Sequence, residues 1–256
     1  MRFNVYACSD QGRIRSNNED NFYVSGTIRQ NVDQSHMECS GCFEGQRFLF
    51  AVCDGMGGEA NGELASLAAV RALRLYEELS AEDEAMQNVA AANRAVNEVQ
   101  NERNSFHTGT TLAAFSIDGT EGQAYNLGDS RVYLCRNGEL SQLTKDHTMA
   151  SYLVELGILT TEQAEKTPNK NSLTSYLGID ADTLTEPYFS ERMELREGDV
   201  VLLCSDGLYG MVSEERLREE AAMCCSVEDI GKRLVCLALE AGGLDNITVI
   251  VIRAET

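Results

Sequence analysis

Residues 48–58 read Phe48-Leu49-Phe50-Ala51-Val52-Cys53-Asp54-Gly55-Met56-Gly57-Gly58. A short apolar run bounded by glycines reads as a buried strand. A strand that ends in a carboxylate and then a glycine places that carboxylate at the rim of a core. Glycine there lets backbone or ligand approach closely. A simple turn explains one Asp-Gly pair. It does not easily explain three glycines in the four residues after a buried strand.

The pattern repeats outward from this stretch. Val200–Cys204 runs into Ser205-Asp206-Gly207, and Asp245-Asn246 precedes the apolar Ile247–Ile252. Asp20 lies in the polar loop Asn17-Asn18-Glu19-Asp20-Asn21, which opens the strand Phe22–Val24. Gly128-Asp129-Ser130 forms a turn between strands. Asp245 or Asp20 alone would be an ordinary cap or turn residue. Together they recur at one kind of place. A buried carboxylate must be paired, protonated or metal-bound, and few basic residues sit nearby in sequence. Oxygen donors of this kind suit Mg²⁺ or Mn²⁺ rather than zinc. Two such ions bridged by one carboxylate, about 4 Å apart, would activate a water for in-line attack on a phosphate ester. Arg15, in the same loop as Asp20, offers a planar fork to phosphate oxygens.

Composition narrows the function classes. Against 21 basic residues stand 41 acidic ones, a formal charge of −20. That balance argues against non-specific binding to nucleic acid or to an anionic membrane. No apolar run reaches the roughly 20 residues of a membrane span. The start Met1-Arg2-Phe3-Asn4-Val5 lacks a signal-peptide layout, so a cytoplasmic protein is expected. The nine cysteines are an odd count and mostly lie in apolar segments. Cys53, Cys135, Cys204 and Cys236 read as reduced, buried small hydrophobes, and Cys224-Cys225 as helix packing. His36, Cys39 and Cys42 have loose metal-ligand spacing but supply only three ligands. A loop between strands is the plainer reading.

The 256 residues show no linker or internal repeat. A single domain over 1–256 is expected, with a mobile flap at about 147–187 that holds both prolines. Strands are expected at 3–8, 22–24, 48–53, 110–117, 121–126, 131–136, 139–143, 199–204 and 247–252, with a polar loop around 31–44. Helical spacing marks 62–79, 81–102, 213–223 and 226–241. Strands cluster and helices come in pairs, without regular alternation. That favours an α+β fold of mixed antiparallel sheets covered by helices.

In order along the chain stand Ser9-Asp10-Gln11-Gly12-Arg13-Ile14-Arg15-Ser16-Asn17-Asn18-Glu19-Asp20, Asp54-Gly55-Met56-Gly57-Gly58, Gly62-Glu63-Leu64-Ala65-Ser66 and Gly109-Thr110-Thr111-Leu112. Then come Gly128-Asp129-Ser130-Arg131, Leu143-Thr144-Lys145-Asp146-His147, Ser205-Asp206-Gly207-Leu208 and Asp245-Asn246-Ile247-Thr248. This series resembles the metal-dependent serine/threonine protein phosphatases of type 2C, in particular the compact bacterial members. One such motif is weak; the ordered set is specific.

The resemblance implies a four-layer αββα sandwich, two mainly antiparallel sheets flanked by helices. It implies two Mn²⁺ or Mg²⁺ ions, with a third held more weakly. Asp54 would bridge the ions and the Gly55 carbonyl would ligate one of them. Asp206 and Asp245 would complete the first site, and Asp20 would serve the second. Glu19 and Asn246 would stand in support, and Asp129 would join Asp206 at the third ion. Arg15 would bind the substrate phosphate. Phosphorylated proteins would be the substrates, with a cognate Ser/Thr kinase as partner, and the chain would act as a monomer.

Two positions depart from the family pattern. Glu59 stands where many relatives carry a histidine that protonates the leaving alcohol. Three alternatives stay open: a Glu59 with raised pKa, a metal-associated water as donor, or modest turnover. Ser175 stands where the flap commonly carries arginine. Two other functions compete with protein dephosphorylation: a phosphatase-fold binding or sensing module, and hydrolysis of small phosphoesters.

Overall fold

The structure is a computed structural model describing residues 1–56, 61–74, 84–105, 107–164, 166–179 and 186–255. In chain order the first elements are β1 (Arg2–Asp10), β2 (Asn21–Val24), β3 (Thr27–Ile28), β4 (His36–Glu44), β5 (Arg47–Cys53) and β6 (Gly55–Met56). The helices α1 (Gly62–Arg74) and α2 (Glu84–Arg103) follow. Next come β7 (Gly109–Thr110), β8 (Leu112–Asp118), β9 (Glu121–Leu127), β10 (Arg131–Arg136) and β11 (Glu139–Gln142). After α3 (Met149–Glu155) and α4 (Thr161–Ala164) stand β12 (Tyr188–Phe189), β13 (Met193–Glu194) and β14 (Val200–Cys204). The chain closes with α5 (Asp206–Tyr209), α6 (Glu214–Ala221), α7 (Val227–Glu240) and β15 (Ile247–Glu255).

One sheet has the order β11-β10-β14-β15-β1-β4. The other runs β12-β9-β8-β5-β2-β3, with β13 also on β9, and β6 pairs with β7 apart from both. The ladders are antiparallel. Three apolar layers hold the stack together. Phe3, Val5, Phe22, Phe50, Val52, Phe115, Leu203 and Ile250 fill the space between the sheets. Leu49, Ala51, Cys53 and Tyr125 face α1 and α2, while Tyr6, Leu202, Val251, Ile230 and Leu234 join the first sheet to α7. The fold is therefore the expected αββα sandwich.

These layers explain the opening stretch. Successive side chains of β5 point to opposite faces, and both faces are covered, so the strand is apolar at every position from Phe48 to Cys53. Helix α7 starts at the Ser226 cap, whose hydroxyl accepts from the Asp229 amide. The α6 cap at Ser213 works the same way. Asn137 and Gly138 both take positive φ, 55° and 81°, as a two-residue hairpin turn requires.

The structure corrects several local readings. Residues 36–44, expected as a loop, form the strand β4 along the whole of β1. The alternation of a strand is present there: Met37, Cys39 and Phe43 turn to the inter-sheet core between the polar His36, Glu38, Ser40 and Glu44. Strand geometry also disposes of a zinc site there. A spacing of three puts Cys39 on the face opposite His36 and Cys42. Cys39 packs against the inter-sheet core, and His36 Nδ1 pairs with Asp10 at 2.8 Å. Cys236 is exposed rather than buried, because α7 turns that position outward. Cys224 and Cys225 lie in the turn after α6, not within a helix. The last five residues, 75–79, of the helix expected over 62–79 fall outside the described residues, as do 81–83.

Candidate metal centre

The ends of β5, β9 and β14 and the starts of β2 and β15 meet at one end of the sandwich. Each carries one of the aspartates singled out in the sequence. Asp54 follows β5 directly. Its amide donates to Thr111 Oγ1 at 2.9 Å. Its carbonyl accepts from the Thr111 amide and from Thr110 Oγ1, each at 2.9 Å. Thr111 Oγ1 in turn meets Ser130 Oγ at 2.7 Å. Two motifs distant in sequence thus clamp the backbone that presents Asp54. Gly55 has no room for a side chain: a Cβ there would stand 2.2 Å from the Gly62 carbonyl oxygen and 2.5 Å from that of Glu19.

Asp20 is fully buried. One carboxylate oxygen, Oδ2, accepts from Ser205 Oγ at 2.8 Å, and the other, Oδ1, has no partner. Its loop is pinned from both sides. The Asn246 side chain accepts from the Glu19 amide at 2.8 Å and donates to the carbonyls of Gln11 and Asn17. Ser66 Oγ donates to the Glu19 carbonyl at 2.6 Å. Beneath the loop lies Arg29, a fully buried guanidinium. It donates to the carbonyls of Asn18, Asp20, Asn31, Val32 and Gln34.

Asp206 follows the β14 strand, and its Oδ1 is buried without a partner. Its carboxyl group neighbours that of Asp54. Asp129, in the turn after β9, is 7% exposed. Asp245 is more open, and its Oδ2 pairs with Arg15 Nη2 at 2.6 Å. Arg15 was expected to face a phosphate; in this structure it holds a carboxylate of the cluster instead. Glu59 lies outside the described residues. Ser175 is buried with an unpartnered hydroxyl.

The electrostatics follow from this crowding. Burial, and then the charges of Asp206 and Asp245, push Asp20 up to about 7. Burial, then Asp206 and Asp146, does the same for Asp129, also to about 7. Asp54 is pushed well above the carboxylate range by burial and then by Asp20, Asp206, Asp129 and Asp245. Asp206 is raised by burial and by Asp245. Among the described residues, no three His, Cys, Asp or Glu side chains stand preassembled as a metal cage. Arg15 stands on Asp245, and the crowded carboxylates of Asp54, Asp206, Asp20 and Asp129 are left to face one another. The donor chemistry nevertheless fits a hard divalent cation. All donors are oxygens, two of them are buried without partners, and the carboxylates destabilise one another in a way that positive charge would relieve.

The family model of protein phosphatase 2C matches residues 29–236. The chain belongs to the protein phosphatase 2C family. It is 38% identical over 250 residues to the serine/threonine protein phosphatase PstP of Mycobacterium tuberculosis, covering 96% of this chain and 44% of that protein. It therefore spans less than half the length of that relative. The serine/threonine phosphatase stp of Listeria monocytogenes is 32% identical over 260 residues, with 96% of this chain and 94% of that one covered. The catalytic domain of PstP in complex with two manganese ions superposes with a TM-score of 0.76 at 35% identity, covering the whole of both chains.

Within this type 2C framework, several supporting residues escaped the sequence reading. Arg29 sits in a polar stretch without periodicity, and nothing local says that its guanidinium is buried. Ser205 stood in a quoted motif, but its bond to Asp20 spans 185 positions. Thr111 and Ser130 likewise needed the fold to bring them together.

Proposed function

We propose that the chain is a metal-dependent phosphatase of phosphoserine and phosphothreonine in proteins. The observation that carries this reading is the meeting of Asp20, Asp54, Asp129, Asp206 and Asp245 at one end of the sandwich, with buried carboxylate oxygens left unpartnered. Asp54 with Asp206 and Asp245 would hold one Mn²⁺ or Mg²⁺, Asp54 with Asp20 a second, and the Gly55 carbonyl would ligate one of the two. Asp129 and Asp206 offer a weaker third position. When bound, such ions supply an activated water and neutralise charge developing on the phosphoryl group.

The chain's own residues do the rest. The clamp of Thr110, Thr111 and Ser130 fixes the backbone that presents Asp54. Glu19 and Asn246 tie the Asp20 loop to the Asp245 turn. Arg15, once parted from Asp245, presents a planar fork to two oxygens of a phosphate. Glu59 is the candidate to protonate the leaving alcohol. The segment 147–187 stands as a flap governing access, in one domain with the rest. A cognate Ser/Thr kinase, a cytoplasmic location and a monomeric state complete the proposal by family resemblance. Among the described residues, no helix is long and apolar enough to cross a membrane.

Phosphate release from a phosphothreonine peptide tests the reading. Release with Mn²⁺, abolished by EDTA and by Asp54→Asn with circular dichroism unchanged, is expected. Folded wild-type protein that binds Mn²⁺ but releases nothing would make the chain a binding module instead.

A further inference from the structure

The two carboxylates offered to a weaker third ion come from separate elements. Asp206 opens α5, and Asp129 lies in the turn between β9 and β10. Asp206 is held by the sheet it follows. Cys204 pairs with Val249 across the ladder, and the Ser205 amide donates to the Thr248 carbonyl at 3.1 Å. The Asp129 turn is held on its Gly128 side. The Gly128 amide donates to His147 Nδ1 at 3.2 Å, and the Gly128 carbonyl accepts from the His147 amide at 2.9 Å. Neither set of bonds joins the two aspartates to each other.

Tyr209 does. It closes α5, three positions after Asp206, so the two side chains are neighbours on one helical turn. Its hydroxyl donates to the Asp129 carbonyl at 3.0 Å. The ring has a fixed direction. The Arg131 guanidinium lies over it, 3.8 Å from the ring centroid. Arg131 is itself gripped by Asp146, through Nε at 3.0 and 3.1 Å and through Nη2 at 2.6 Å. A guanidinium held by a carboxylate fork and stacked on a phenol ring aims that phenol's hydroxyl. The other aspartates have different supports: Ser205 for Asp20, Thr111 for Asp54 and Arg15 for Asp245. Phenylalanine would serve packing alone. What the phenol adds is a bond to the backbone that presents Asp129.

We infer that Tyr209 is a positioning residue, whose hydroxyl holds Asp129 at the distance from Asp206 that a third Mn²⁺ or Mg²⁺ requires. It acts through Asp129 rather than on substrate. The role rests on the third-ion part of the proposed function and goes beyond it. Tyr209 stands one position past Ser205-Asp206-Gly207-Leu208, outside the ordered motif series.

The test counts Mn²⁺ bound to the full chain, with free Mn²⁺ read by electron paramagnetic resonance and folding by circular dichroism. Wild type should bind two ions tightly and a third more weakly. Asp129→Asn should abolish the weak class, which assigns it. Tyr209→Phe keeps the ring under Arg131 and removes only the hydroxyl. It should weaken the third ion about fivefold, the loss of one hydrogen bond, and leave the tighter two within about twofold. Arg131→Lys takes away the planar cover that aims the ring and leaves the hydroxyl. It should weaken the same class by a smaller factor, and it gives a second reading if Tyr209→Phe folds poorly. The inference is overturned if folded Tyr209→Phe binds the third ion as wild type does. It is also overturned if every class weakens together, as a purely structural role would give. Wild type that binds only two ions, or a weak class that survives Asp129→Asn, overturns the third-ion reading and this inference with it. Each readout is independent of phosphatase activity.

Discussion

Replacing Asp20 by Asn should stabilise the metal-free protein at alkaline pH and weaken its response to metal. Burial and the neighbouring aspartates raise the Asp20 carboxyl from 3.8 to about 7. The folded chain therefore keeps a proton there that the unfolded chain loses near pH 4. Between those values the folded state binds more protons, so this group's contribution to stability falls as pH rises. Above pH 7 the folded chain bears the full cost of ionising it, roughly 4 kcal/mol at 1.36 kcal/mol per unit of pKa. That figure is an upper bound, since Asp54 and Asp206 share the same protons. Asn keeps the acceptor for Ser205 Oγ and carries no charge. For a domain of this size, each kcal/mol moves Tm by about 2–4 °C. In EDTA, scanning fluorimetry should show Asp20→Asn melting several degrees above wild type at pH 8, with the gap narrowing as pH falls towards 4. With Mn²⁺ at pH 8 the order should invert, because wild type gains more from the ion. A variant that melts below wild type in EDTA at pH 8 would refute the reasoning. It would mean that internal donors already compensate the Asp20 charge.

Two further perturbations probe the same end of the molecule. Arg15→Ala should raise KM more than it lowers kcat, because the guanidinium binds phosphate in ground and transition states alike. A selective fall in kcat would instead make it a transition-state group. Arg29→Met strips the donor from five carbonyls around the Asp20 loop, a loss of ~3 kcal/mol or more by urea unfolding. It should also weaken Mn²⁺ binding in calorimetry, and Arg29→Lys should recover only part of both. Unchanged Mn²⁺ affinity in a folded Arg29→Met protein would separate that loop from the metal centre.

The aspartates were legible because strand ends are local. An apolar run followed by Asp-Gly announces itself within a dozen residues, and several such ends pointed to one rim. The sandwich was legible for a related reason: apolar stretches such as Phe48–Cys53 of β5 and the whole of β14 need cover on both faces. β4 was misread rather than illegible: Met37, Cys39 and Phe43 alternate with polar residues, and the overall polarity of 31–44 outweighed that period. Cys236 was misjudged because helical position, not neighbouring hydrophobicity, decides which way a side chain points.

By itself the sequence determined which residues bring oxygen donors, and that they sit where buried strands stop. Hydrophobic patterning and glycine placement act over a few residues, so they can be read in a row. Only the tertiary structure decided how those donors stand. It set Arg15 on Asp245, the carboxylates of Asp54 and Asp206 side by side, and a buried Arg29 beneath Asp20. Such pairings join positions as far apart as 230 residues. Their electrostatics depend on burial and distance, and a linear chain specifies neither until it has folded.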